Sequence, residues 1–147
     1  MNKSQSPTLL RRSLEPALLA ECYQLKALMR YDEAEGFYFW PVTAALGSPD
    51  YETQCGICTH AAKLIARKFR GFVAGYSIQP EDPRTLVGAE VFGHDFAVVG
   101  DFIIDWWGWE YAGELEIPVI SRVKAIALGK YKPVADWEIL PDHDFRE

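Results

Sequence analysis

Apolar side chains recur at helical spacing near the start of the chain and predict a first helix, formed around Leu18, Cys22, Leu25 and Met29. Ser13 is suited to cap this helix, and the first turn tolerates Pro16. We expect the polar residues 1–12 to form a flexible N-terminal arm and residues 13–147 to form a single domain. Cys22 lies on the apolar stripe, so we expect it to be a small buried hydrophobe.

A second helical run extends from Thr59 to Phe69 and ends before Gly71. Apolar segments after it predict strands, at Phe72–Ile78, Ala89–Val99, Phe102–Trp107 and around Val134–Leu140. A short helix is expected over Ser121–Leu128. Helices followed by mostly antiparallel strands predict an α+β fold, with N-terminal helices packed on an antiparallel sheet.

Composition and charge restrict the function. The chain has 147 residues, is 49% hydrophobic and carries a net charge of −6. This charge disfavours nucleic acid and anionic membranes as partners, because both require a basic face. Three unevenly spaced cysteines, with no apolar run of signal-peptide or transmembrane length, favour a reducing compartment. We therefore expect a cytoplasmic protein, or one exported by a route without a cleavable signal peptide.

Cys58 stands at the start of the second predicted helix. Free N–H groups and the positive end of the helix dipole favour a thiolate there, which is the nucleophilic form of cysteine. Three other interpretations remain open. Cys55 and Cys58 could form a redox pair, could bind zinc together with His60 or His94, or could simply pack in the core.

The segment around His94 and Asp105 predicts a two-stranded hairpin with polar residues at both ends. A two-residue turn at Gly100–Asp101 would pair Val99 with Phe102. His94 and Asp105 then lie diagonally on the same face, where a carboxylate can hold an imidazole as a general base. A loop of odd length would place them on opposite faces. The alternative is that both residues are solvated and idle.

Three segments together resemble the papain-like cysteine peptidase superfamily: Cys55–Cys58, Gly93–Gly100 and Asp105–Gly108. They are similar to the CGxC sequence at the nucleophile helix, to the histidine-bearing strand, and to the Asn-Ser-Trp-Gly stretch of that family. The resemblance implies a papain-like domain with a central nucleophile helix packed on an antiparallel sheet. In that family the nucleophile comes first in the chain, then the base, then the orienting residue, and the order of Cys58, His94 and Asp105 agrees with this.

By this resemblance Cys58 is the nucleophile, His94 the base and Asp105 the third catalytic residue, with Trp107 covering the histidine. The position of the family's oxyanion glutamine is occupied by Glu52, and Gln54 is the nearest substitute. An aspartate replaces the usual asparagine, a set that occurs among compact bacterial effector and toxin enzymes.

The expected function is that of a cysteine-dependent amide hydrolase or acyltransferase. It would act on a protein or peptide substrate, as a peptidase or a glutamine deamidase, and we expect no metal and no cofactor. Two alternatives are a thiol–disulfide oxidoreductase that uses Cys55 and Cys58, and a non-catalytic papain-like binding module.

Overall fold

The computed structural model of the chain describes residues 7–28, 30–34, 37–39 and 57–140. The helices are α1 (Pro7–Leu28), α2 (Ile57–Phe69) and α3 (Arg122–Ala127). The strands are β1 (Arg30–Asp32), β2 (Phe37–Phe39), β3 (Phe72–Ser77), β4 (Gly93–Val99), β5 (Phe102–Ile104), β6 (Val119–Ser121) and β7 (Glu138–Ile139). This mixture of helices with an antiparallel sheet confirms the predicted α+β class. None of the helices in these ranges combines the length and the apolar character that crossing a bilayer requires.

The first helix begins earlier than the sequence predicts. It starts at Pro7, so residues 7–12, which the sequence analysis assigns to the N-terminal arm, are helical. Proline suits the first turn of a helix, because its missing N–H would have no helical partner there. Pro16 instead lies inside the helix, where a long helix accommodates one interrupted hydrogen bond. Cys22 is fully buried, as predicted.

The main sheet has five strands in the order β6-β5-β4-β3-β7, and every neighbouring pair is antiparallel. The β4–β5 hairpin has the predicted register, since Val99 pairs with Phe102. Gly100 has a φ of 59°, the left-handed conformation that a tight hairpin turn requires. Side chains of β4 and β5 therefore lie on the faces that the sequence predicts.

Both strands of this hairpin are shorter than predicted: β4 begins later in the chain, and β5 ends earlier. Residues Ala89–Val91 form a 3₁₀ turn rather than the start of a strand. Phe92 has a φ of 63°, which redirects the chain so that β4 begins at Gly93. After β5, residues Trp107–Tyr111 form a turn of π-helix, so the predicted strand to Trp107 stops at Ile104.

Helix α2 packs on β3 and β4 in the middle of the sheet. Its buried face consists of small and branched apolar residues, at Ala61, Ala62, Leu64, Ile65 and Ala66. Small side chains let the helix approach the sheet closely. This packing places the first turn of α2, which contains Cys58, in the same part of the molecule as the strand that carries His94.

Candidate active site

His94 and Asp105 form a buried pair at the open end of the β4–β5 hairpin. His94 is the second residue of β4, and Asp105 follows the last residue of β5. The His94 Nε2 atom lies 2.5 Å from Asp105 Oδ2, and the two side chains are 0% and 1% exposed. The structure thus brings together the two residues that strand alternation places on one face.

The charge of Asp105 determines the protonation of His94. Burial lowers the pKa of the imidazole, but the charge and hydrogen bond of Asp105, assisted by Cys58, raise it to about 10. His94 is therefore protonated at neutral pH. A buried imidazolium held by a carboxylate can stabilise a neighbouring anion and can donate a proton to a leaving group.

Cys58 lies in the first turn of α2, as a half-buried free thiol. Its side chain is near enough to His94 to raise the pKa of the ring. Because Nε2 is bonded to Asp105, a bond between the ring and the thiol must involve the other nitrogen, Nδ1. This atom is buried and has no hydrogen-bond partner within the part of the chain that the structure describes. The ring is thus oriented with one nitrogen fixed and the other available for the thiol.

Aromatic side chains surround the His94 ring. The Trp107 ring centroid lies 5.0 Å from that of His94, and Trp107 is only 9% exposed. Phe96 and Tyr131 lie 5.8 and 6.4 Å from the imidazole. Apolar rings exclude water, which strengthens the interaction between His94 and Asp105. Trp107 is therefore placed where a cover for the pair is needed.

Two further groups donate to Asp105 and are not among the residues predicted for the site. The Gly108 backbone N–H lies 2.8 Å from Oδ1, and the Tyr131 hydroxyl donates to Oδ2. An aspartate that accepts from an N–H three residues later is the usual side-chain cap of a helical turn, so a capping pattern could have revealed Gly108. No local pattern points to Tyr131, because it approaches from a distant segment.

A second polar contact joins the helix of Cys58 to the strand of His94. Thr59 follows Cys58 on α2, and its hydroxyl donates to a carboxylate oxygen of Asp95. Asp95 follows His94 on β4 and is half-buried. The paired residue on β3 is Gly75, where a Cβ atom would lie 2.0 Å from Asp95 Oδ1. Glycine therefore leaves room for the Asp95 carboxylate to reach Thr59.

The remaining predicted site residue, Gln54, lies outside the described residues, and so does Cys55. The predicted oxyanion role of Gln54, and the redox and zinc interpretations that need Cys55, therefore stay predictions. Within the described ranges, no three or more His, Cys, Asp or Glu side chains are grouped so that they could hold a metal ion. No protein-family model, no curated protein and no solved structure matches this chain.

Proposed function

We propose that this chain is a cysteine-dependent amide hydrolase or acyltransferase, in which Cys58 is the nucleophile, His94 the base and Asp105 the orienting carboxylate. The observation that carries the proposal is the buried His94–Asp105 pair, joined at 2.5 Å, with the Cys58 thiol near enough to act on the ring. A histidine oriented by a carboxylate beside a cysteine is the arrangement that activates a thiol for acyl transfer. The packing of α2 on an antiparallel sheet supports a papain-like fold as part of the same proposal.

The proposed reaction begins with a proton on His94 and a thiolate on Cys58. The thiolate attacks the amide carbonyl carbon, and a tetrahedral oxyanion forms. N–H groups of the first turn of α2, which have no helical partners, are available to stabilise this oxyanion, together with Gln54. His94 gives its proton to the leaving nitrogen as the C–N bond breaks, which leaves a thioester on Cys58.

Water completes the proposed cycle. Neutral His94 takes a proton from water while the oxygen attacks the thioester carbon. The carbon–sulfur bond breaks, the carboxylic acid leaves, and the thiolate and imidazolium are restored. If an amine replaces water, the same steps transfer the acyl group instead of hydrolysing it.

The proposed substrate is a protein or peptide, met in the cytoplasm. The net charge of −6 supports this choice over a nucleic acid, since a polyanion would be repelled. Attack on a backbone amide would make the enzyme a peptidase, and attack on a glutamine side chain would make it a deamidase. Incubation with an unfolded protein substrate separates the two, because a peptidase creates new α-amino groups and a deamidase releases ammonia.

Iodoacetamide labelling of the native protein across pH, read residue by residue by mass spectrometry, tests the proposal. We expect fast alkylation of Cys58 near neutral pH and a large decrease in its rate in His94→Ala. Cys22 is an internal control, because it is fully buried and should react slowly in both proteins. His143→Ala, which changes a histidine outside the proposed triad, is the matched control variant. Equally slow labelling of Cys58 and Cys22 would overturn the proposal.

A further inference from the structure

Asp105 accepts hydrogen bonds from three different groups although it is almost completely buried. Oδ2 accepts from His94 Nε2 and from the Tyr131 hydroxyl, and Oδ1 accepts from the Gly108 N–H. A carboxylate has enough lone pairs for all three donors. The two oxygens are therefore constrained separately, which fixes the plane of the carboxylate as well as its position.

The Tyr131 ring is itself held firmly. Tyr131 is 2% exposed, and its ring makes edge-to-face contacts with Phe96 at 5.0 Å and with Tyr76 at 6.3 Å between centroids. Burial, followed by the charge of Asp105, raises the pKa of the Tyr131 hydroxyl well above its usual value. The hydroxyl therefore stays protonated at neutral pH, where it acts as a donor to Asp105.

We propose that Tyr131 is a positioning residue, whose hydroxyl holds Asp105 Oδ2 in line with His94 Nε2. The inference rests on the proposed function, because it assigns to Tyr131 an effect on Cys58 that passes through Asp105 and His94. The Tyr131 hydroxyl is bonded to Asp105 rather than to the thiol or the imidazole. Its role is to hold the Asp105 carboxylate in the position from which that carboxylate orients His94.

The three donors also explain why an aspartate stands at position 105. An asparagine has one accepting oxygen and one NH₂ group. If its oxygen faced His94 and Tyr131, the NH₂ group would face the Gly108 N–H, and two donors would meet. If the amide were turned around, two donors would lose their acceptor instead. With His94 protonated and all three groups donating, only a carboxylate can accept from all of them at once.

Tyr76 supplies a matched control for Tyr131. Both tyrosines are buried, but the Tyr76 hydroxyl donates to the backbone oxygen of Val87, at 2.9 Å, instead of to Asp105. Replacing either tyrosine with phenylalanine removes one buried hydroxyl and keeps the ring. Equilibrium unfolding in urea of Tyr131→Phe and Tyr76→Phe then measures the loss of stability that is common to both.

The experiment measures Cys58 alkylation and the proton NMR signal of His94 Nε2–H, which a short bond to a carboxylate moves far downfield. We expect Tyr131→Phe to slow alkylation by about 10- to 100-fold. This is the change in rate that corresponds to the free energy of one hydrogen bond to a charged group. The downfield signal should shift or disappear. In Tyr76→Phe both readouts should remain close to wild type.

A double-mutant cycle with Asp105→Asn tests whether Tyr131 acts through Asp105. If it does, Tyr131→Phe changes the alkylation rate much less in the Asp105→Asn background than in the wild type. Equal effects in both backgrounds, or a Tyr131→Phe variant that behaves like Tyr76→Phe, would overturn the inference. If Tyr131→Phe does not fold, 3-fluorotyrosine incorporated at position 131 alters the donor strength without removing it. A His94 signal that then stays unchanged contradicts the inference.

Failure of the proposed function gives a different result. In that case iodoacetamide would alkylate Cys58 as fast in His94→Ala as in the wild type. The downfield signal would still report whether Tyr131 orients the buried pair.

Discussion

The Thr59 hydroxyl on α2 lies 2.5 Å from the Asp95 carboxylate on β4. Thr59 follows Cys58, the proposed nucleophile, and Asp95 follows His94, the proposed base. This contact connects α2 to β4 through two residues that are 36 positions apart in the chain. The same hydroxyl lies 3.9 Å from the Cys58 sulfur atom. Because the two residues adjoin Cys58 and His94 in the chain, we expect the contact to restrict movement of the thiol relative to the imidazole.

Thr59→Val removes this contact and keeps the shape of the side chain. We expect it to lower the free energy of unfolding by about 1–2 kcal/mol, because Asp95 loses a donor at a half-buried position. Alkylation of Cys58 should slow as the start of α2 loosens. Urea unfolding and the labelling assay measure the two effects. Thr59→Ser is the control, since it retains the hydroxyl; a serine variant as impaired as the valine variant would contradict this explanation.

Gly108→Ala should displace the Asp105 carboxylate. A Cβ atom at position 108 would lie 2.9 Å from Asp105 Oδ2 and 2.9 Å from the Leu115 side chain. We expect a loss of about 1–3 kcal/mol in unfolding free energy, typical of overpacking, together with slower alkylation of Cys58.

The double variant Gly108→Ala/Leu115→Ala separates the two contacts, because it relieves the crowding at Leu115 only. Alkylation should stay slow in this variant if the displacement of Asp105 is responsible. Recovery of the wild-type rate would assign the effect to Leu115 instead.

The stability of the protein should fall as the pH rises above 6.5. The pKa of His94 is raised from 6.5 to about 10 in the folded state, so the folded protein binds a proton that the unfolded chain releases. The resulting stabilisation is complete below pH 6.5 and is lost as the pH approaches 10. Urea unfolding at a series of pH values should show this decline, and His94→Gln should abolish it between pH 6.5 and 9.

Cys22 adds a second decline at higher pH. Burial, followed by the charges of Glu21 and Asp105, raises the pKa of its thiol from 9.0 to about 12. Above pH 9 the unfolded chain therefore loses a proton that the folded protein keeps, and this favours unfolding. Cys22→Ala should make the decline between pH 9 and 10 less steep and should leave the decline between pH 6.5 and 9 unchanged. A Cys22→Ala profile identical to that of the wild type would show that the thiol does not contribute.

The pairing of His94 with Asp105 was predictable because it depends on local rules. Side chains alternate along a strand, and a glycine-containing turn sets the register, so one hairpin is enough to place both residues on one face. The burial of Cys22 followed in the same way from helical spacing. In both cases the information lies within a few neighbouring residues of the sequence.

The donor from Tyr131 was not predictable, since it reaches Asp105 from 26 positions away. Neither periodicity nor a turn signal relates these two residues; only the tertiary packing brings them together. The start of α1 at Pro7 was missed for a different reason. A proline inside a helix opposes helix formation locally, and the length of α1 outweighs that local preference at Pro16.

The position of Tyr131 in the chain has a consequence for biosynthesis. A ribosome adds Cys58, His94 and Asp105 to the chain before it adds Tyr131. A nascent or prematurely terminated polypeptide that ends before this tyrosine would therefore carry all three proposed catalytic residues without the hydroxyl that holds the carboxylate. Full reactivity of the thiol would then have to wait for the C-terminal part of the chain, so incomplete translation products would be the least reactive forms of the protein.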